Sequence, residues 1–406
     1  TLNEQRNYRA SQVLSPTIIL PQATLEQYKN NVLFKTIQFL AEFNKELKGH
    51  NFNALAGYSF EDQINQNLSG KRIDFPSNDY TVMSMGGINN QQANGDDTEW
   101  AIQSLFGRFK YNYVDKYLFE FTIRRDGSSR FPPNRKYGVF PSLAAGWRIS
   151  QEEFFSKSLP WVSNLKLKAS WGRLGNQNIG NYPYQTTLVS GRNYAFGSGM
   201  TTGAAYRNYR DPDIHWESTE VKDIGFESGF FDGKLLFNLT YFDRFTSDIL
   251  YTPSASVSSV LGVGISETNT GEVKNSGWEI ELGHRNSFKD FSYQINGNLS
   301  IINNEVVTLG LGNVTQPNGM VGNGSTLFIG YPMEMYYGFK SDGVFISTED
   351  ISQWPNQTKI TPSPQPGDIR YVDLSGPEGV PDGVIDSNYD RTFIGSRIPK
   401  YTFGLN

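Results

Sequence analysis

The chain of 406 residues contains no cysteine. A disulfide framework, a cysteine nucleophile and a thiolate metal site are thereby excluded, although an oxidising compartment is not. No apolar run reaches the roughly 18 residues that a transmembrane helix needs, so spanning by helix is excluded as well. A strong excess of either charge is missing as well. The net charge is −5 with no basic tract, which argues against a nucleic-acid partner. Histidine is limited to His50, His215 and His284, none of them in an HExxH or GxSxG setting or in any other spacing with a mechanism attached. Glu279 and Glu281 stand two apart and imitate a glycosidase pair, but a solvated strand face explains them more simply. The Gly-rich GVGISETNTGE lacks the strand–helix context of a phosphate loop. No enzyme is expected.

What the chain does have is aromatic residues, at 14 %, and glycine, at 40 residues, which favour strands and turns. Side chains in a strand switch faces at every residue. Tyr117, Phe119, Phe121 and Ile123 alternate with Glu120, Thr122 and Arg124, and after a Gly/Ser/Pro/Arg loop the chain returns with Val139, Leu143, Trp147 and Ile149 against Ser142, Gly146 and Arg148. Comparable alternation recurs over residues 52–60, 101–113, 165–171, 224–241, 278–282 and 291–301. A less regular stretch over 25–43 places Lys35 on the apolar face, which predicts a bulge or local register change there. A further strand is expected from Arg6 to Leu14, with a loop holding Pro16 and Pro21.

A soluble sandwich would alternate too, with its apolar face turned inward. Two regularities favour a membrane barrel. Connections alternate between short turns and long loops at 67–98, 175–216, 251–270 and 309–399, and the apolar faces apart from 25–43 carry no charge. The runs also exceed the roughly 5–6 residues of ordinary strands and suit the 9–11 of a tilted membrane strand. A mean hydropathy of −0.47 agrees, because only every second residue meets lipid. The expectation is an all-β, antiparallel transmembrane barrel wall with short periplasmic turns and long extracellular loops. Phe119, Phe121, Leu143, Trp147, Phe237 and Leu239 face lipid in it, and Glu120, Arg124, Arg148 and Asn238 face the lumen.

The run DGSSRFPPNRKYGVFPSLAAGWRISQEEFF, then LKLKASWGRLGNQNIGNYPY, and the tail GDIRYVDLSGPEGVPDGVIDSNYDRTFIGSRIPKYTFGLN from Gly367 closely resemble the SusC/RagA family of TonB-dependent outer-membrane transporters. The resemblance implies a plugged barrel of about 22 strands, of which the 11 or so visible here supply about half. The family's plug and TonB-binding segment match nothing in the sequence. The chain opens on TLNEQRNYRA and stops in mid-alternation at Tyr401–Asn406, so an internal barrel portion is expected, lacking plug, signal peptide and C-terminal strands. The resemblance further implies uptake of oligosaccharides or peptides under a surface lipoprotein lid of the SusD type, driven through TonB. A passive porin, a surface glycan-binding adhesin and a secreted β-rich glycan-binding protein or hydrolase are the alternatives.

Two sets of residues are candidates for sites. Asp373, Asp382, Asp386 and Asp390 sit where the family carries a compact calcium-loop-like run. Asp and Gly supply the oxygens and curvature that calcium requires. Here residues are inserted between Asp373 and Asp382, Ser375 stands where Asn is usual, and a set of Asp/Gly turns capped by Arg391 fits the same residues. No other cofactor is implied. The loop aromatics Tyr182, Tyr184, Tyr194, Tyr206, Tyr209, Trp216, Tyr336, Tyr337 and Trp354 are the substrate candidates, since exposed rings stack on sugars or grip peptides.

Overall fold

The computed structural model describes residues 2–9, 12–15, 18–20, 23–197, 199–206, 208–252, 262–310 and 313–406. Twelve strands form one sheet in which chain neighbours are sheet neighbours. They are β1 (Leu2–Arg9), β2 (Thr24–Leu47), β3 (His50–Ile73), β4 (Gln92–Tyr113), β5 (Tyr117–Ser128) and β6 (Tyr137–Arg148). The series continues with β7 (Val162–Asn176), β8 (Glu217–Phe230), β9 (Leu235–Tyr251), β10 (Thr268–Phe288), β11 (Phe291–Thr308) and β12 (Tyr401–Leu405). All eleven pairings are antiparallel, so the sheet is an open up-and-down wall with β1 and β12 at its edges.

The register sorts the two faces. Tyr111 and Ala145 lie opposite Phe119, and Phe109 and Leu143 lie opposite Phe121. Farther along, Leu167, Phe226, Leu239, Ile280 and Leu299 make one apolar row across five strands. The neighbouring row on the other face is polar, running through Lys166, Glu227, Asn238, Glu281 and Asn298. Against hydrocarbon the first face is stable and the second is not, which turns the polar face to the lumen.

Turn chemistry sets which end is which. Lys48 and Gly49 both take left-handed φ, 48° and 82°, the conformation of a tight two-residue hairpin whose twist matches its strands. Val114 and Asp115 do likewise, with φ of 51° and 56° and the Asp115 amide donating to the Asn112 carboxamide oxygen. Short connections at 48–49, 114–116, 231–234 and 289–290 share one end of the wall, and 74–91, 177–216 and 309–400 share the other. Just above the short turns His50, Tyr113, Tyr117 and Trp147 form a chain of rings with centroids 4.4, 6.4 and 6.5 Å apart. Such a belt marks a membrane interface.

The opposite interface is equally readable. Tyr241 and Trp278 pack at 5.0 Å, and the Trp171 indole N–H donates to Glu220 at 3.1 Å. Beyond this level the same outward face becomes charged, with Lys222–Glu220 at 2.7 Å and Lys274–Asp243 at 3.0 Å. Lys35 belongs to this layer. The expected bulge is absent: β2 and β3 pair without interruption, and Lys35 bonds Asp62 directly across from it at 3.2 Å. Lys35 is twelve residues from Leu47, about 40 Å along the strand and, with a tilt of about 45°, about 28 Å up the wall. That height clears an apolar band about 25 Å tall.

The same geometry corrects the first long loop. β3 continues to Ile73 and β4 begins at Gln92, so the connection is 74–91 and the NGDD run is strand. Above the bilayer a strand needs only its hydrogen-bond ladder, and polar residues on both faces conceal it from a search for alternation. At the amino-terminal end β1 stops at Arg9, and Gln12–Ser15 pairs separately with Ile18–Leu20. Pro16 and Pro21, and residues 253–261 of the expected 251–270 loop, lie outside the described residues.

The lipid face is testable by substitution. Phe121→Arg places a charge four residues above the Tyr117 belt and should cost about 2–4 kcal/mol of folding free energy into lipid vesicles. Lys35→Ala, above the band, should cost only about 0–1 kcal/mol. Equal costs at the two positions would contradict the placement of the bilayer.

Candidate functional site

The polar face borders an open cavity of about 1080 Å³, lined from Asn44 on β2 to Glu279 on β10. Strands so far apart share one cavity because the sheet curls. Small and apolar residues such as Leu118, Ala144 and Ala169 line part of it, and ion pairs and hydrogen bonds order the polar groups in it and beside it on the same face. Lys110 meets Glu120 at 3.2 Å, and Glu227 sits between Lys166 at 3.3 Å and Lys168 at 3.2 Å. The Ser170 hydroxyl donates to Asp223 at 3.1 Å and the Asn238 amide to Glu281 at 3.0 Å. These are wet, neutralised surfaces, suited to polar solutes or a polar protein face. The sequence singled out Glu120 and Asn238 as lumenal, but not this network, because partner choice depends on inter-strand register.

The histidines are structural. His50 shares a hydrogen bond of 2.9 Å with the Tyr111 hydroxyl, His215 donates through Nδ1 to the Asp213 carbonyl, and His284 packs on Tyr293. Glu279 and Glu281 belong to the lumen wall, where alternation put them.

The loop aromatics divide into two groups. Trp216 is only 8 % exposed; it packs with Phe131, Ile179 and Ile214, and its indole donates to the Lys136 carbonyl at 3.0 Å. Tyr184 packs against that cluster and faces Tyr182 edge-on. Trp354 donates to the Tyr371 carbonyl at 2.7 Å and carries the Arg370 guanidinium over its ring at 4.2 Å. Tyr337 packs on Phe328 and Arg391. These rings fasten loops together. By contrast Tyr194, Tyr206, Tyr209 and Tyr336 are all more than half exposed. Ring identity alone does not separate the groups; the contacts of each ring do.

The four aspartates are not gathered into one ligand cluster here: among the described residues no group of three or more His, Asp or Glu is placed to hold a metal. Each carboxylate faces backbone amides instead. Fully buried Asp390 accepts from Leu374 at 2.7 Å, Ser375 at 3.3 Å and Asp386 at 2.7 Å. Asp373 accepts from Gly383, Asp382 from Val384, and Asp386 from Asn388 and Tyr389. The Asx turns at Asp382 and Asp386 occupy lone pairs that calcium would otherwise claim, while one carboxylate oxygen of Asp373, Oδ1, is buried without a hydrogen-bond partner. Arg391 donates to the Ser387 carbonyl at 2.8 Å, closing the same block. Burial opposes ionisation of Asp386, but Lys359 and the two amides outweigh it and hold the carboxyl below its usual range. Asp373 goes the other way: burial raises it, and nearby Asp390 and Asp382 add to the rise.

The comparisons place the wall in a family. Residues 2–378 match the family described as TonB dependent receptor-like, beta-barrel. The chain belongs to that family. Its members are transporters of the outer membrane and not enzymes, so the lipid around the apolar face is outer-membrane lipid and the long loops are extracellular. Among curated relatives, TonB-dependent receptor P3 of Formosa agariphila is 29 % identical over 98 % of this chain and 39 % of its own length. TonB-dependent receptor SusC of Bacteroides thetaiotaomicron is 33 % identical over 52 % of this chain and 21 % of its own. The structure of the RagAB peptide transporter superposes with a TM-score of 0.80 at 22 % identity, covering all of this chain and 42 % of that one. The chain thus spans about two fifths of P3. Together these relatives bear out the SusC/RagA resemblance.

Asp373 offers a test of the tail. Its raised carboxyl favours the folded segment below the usual aspartate range, and that contribution is lost as pH rises through the raised value. Asp373→Asn removes the unfavourable charge and should tighten residues 367–395 against protease at neutral pH, while chelator changes nothing. A calcium ligand would behave oppositely, with the variant loosening the segment and chelator reproducing the loss.

Proposed function

We propose that this wall belongs to a TonB-dependent importer of oligosaccharides or peptides that works with a surface lipoprotein lid. The observation that carries the reading is the segment between β11 and β12. It is the longest extracellular connection and holds its own buried core, including Phe328, Met335, Phe345 and Ile385. Its two small sheets pair Met335–Phe339 with Arg391–Ser396, and Ser341–Val344 with Ile369–Tyr371. A prebuilt platform of this size on the outer side suits a protein partner better than a small solute. Similarity to the RagAB peptide transporter supports peptides as cargo, and the SusC/RagA resemblance adds oligosaccharides. The exposed Tyr194, Tyr206, Tyr209 and Tyr336 are the rings free to meet cargo.

In this reading the lumen wall is a polar conduit and the loops capture. Energy reaches the barrel through a plug coupled to TonB. A barrel of about 22 strands is wide enough to need such a plug.

Deleting the outer part of 309–399 from the intact transporter should abolish growth on the cognate polymer and co-purification of a surface lipoprotein, with the barrel still folded and inserted. Loss of growth should be reproduced in a strain without TonB. Normal uptake in that strain would overturn active transport and favour a passive pore.

A further inference from the structure

The connection between β6 and β7 is the one long piece on the short-turn side among the described residues, and both of its ends are held on the lipid face. At its start Glu152 accepts from Lys116 Nζ at 3.0 Å, Tyr117 Oη at 2.8 Å and Trp147 Nε1 at 3.2 Å. Tyr117 and Trp147 face lipid, so Glu152 sits on the outside of the rim. Those three bonds, Lys116 first, hold its carboxyl below the usual range. At the far end the Trp161 ring stacks on Phe230 at 5.6 Å and on Phe231 at 6.0 Å, and the Trp161 carbonyl accepts from the Phe231 amide. Phe230 lies opposite Leu235, in the lipid-facing row.

Between the two clamps runs a short helix, α1 (Glu153–Ser158). With both ends outside the rim, it runs along the membrane edge and not across the lumen mouth. The apolar groups there are left uncovered: Phe154 is 63 % exposed, Trp161 49 % and Phe231 54 %. They continue the aromatic belt of Tyr113, Tyr117 and Trp147 at the same end of the strands. A hydrophilic rim helix would serve equally well as a connection, and the cost of exposing three large rings to water is avoided only if something apolar covers them.

We propose that Phe154, Leu159, Trp161 and Phe231 form an interfacial foot that lies in the periplasmic leaflet, its occupant being the phospholipid headgroup–acyl boundary. Continuity with the aromatic belt selects lipid over a periplasmic protein. Trp161 has the polar-edged ring favoured at that depth, and Phe and Leu are the usual apolar-face residues of segments lying in the interface. Glu152 is the positioning residue: by gathering three donors from the start of β5 and the end of β6 it keeps the helix against the bilayer. The foot would set the barrel's depth and tilt at the end where the other connections are only two to four residues long.

Because the chain has no cysteine, a nitroxide can be attached at one chosen position within it. In the intact protein reconstituted in phospholipid bilayers, a label at Phe154→Cys should collide several-fold more with oxygen than with a water-soluble nickel chelate. A label at Ser156→Cys, about 200° around the helix and so on its opposite side, should show the reverse. Nickel access at 154 equal to that at 156 would mean the foot hangs in water, and protection from both reagents would mean a protein covers it; either result overturns the proposal. Trp161→Phe is the conservative second variant. It should lower the share of tryptophan emission quenched by lipids brominated near the headgroup, and an unchanged share would overturn the proposal as well.

Discussion

Hydrocarbon offers no hydrogen bonds, and every backbone N–H and C=O that crosses it must find a partner inside the protein. The rest of this structure follows from that requirement. A chain without a long apolar run cannot meet it with helices, so it meets it with a ladder in which each strand pairs with its sequence neighbours. Alternating side chains then give one sheet two solvents. Phe121 beside Phe109 and Leu143 faces the acyl chains, while one residue away Glu120 pairs with Lys110 on the wet side.

The ladder continues beyond the membrane, where the constraint on side chains lapses. β2 and β3 each run 24 residues, about 80 Å at full extension, far more than the bilayer demands. In the upper part the outward face exchanges apolar residues for ion pairs such as Lys222–Glu220, and both faces become polar toward Ile73 and Gln92. The extra length lifts the large loops clear of the lipid surface. There they pack on each other through Phe131 and Trp216, and residues 309–400 fold around Phe328, Phe345 and Ile385. The two ends of the wall are thus built for different neighbours: a close-cut, aromatic rim below and a broad, structured platform above.

Much of this was legible in the chain. Strict alternation located the membrane part of nearly every strand, and the residues named for each face fall on it, since a period of two leaves no freedom once one face must be apolar. Legibility failed where that demand is absent. The NGDD strand was read as loop because nothing requires apolar residues above the bilayer. Lys35 suggests a bulge or register change in the sequence because its height and its partner Asp62 are properties of the pairing and not of the segment. Composition does not distinguish Trp216 and Trp354, whose indoles donate to the Lys136 and Tyr371 carbonyls, from the exposed Tyr194 and Tyr209.

The sequence by itself determined the class of solution, a membrane wall of antiparallel strands with short turns on one side and long loops on the other, because solvent polarity is imprinted residue by residue. Only the tertiary structure decided which charges neutralise each other across the lumen, which aromatics are occupied, and that Asp373, Asp382, Asp386 and Asp390 turn to backbone amides rather than to one another. Those outcomes depend on distances between segments far apart in the chain. Such distances are settled by strand register and loop packing together.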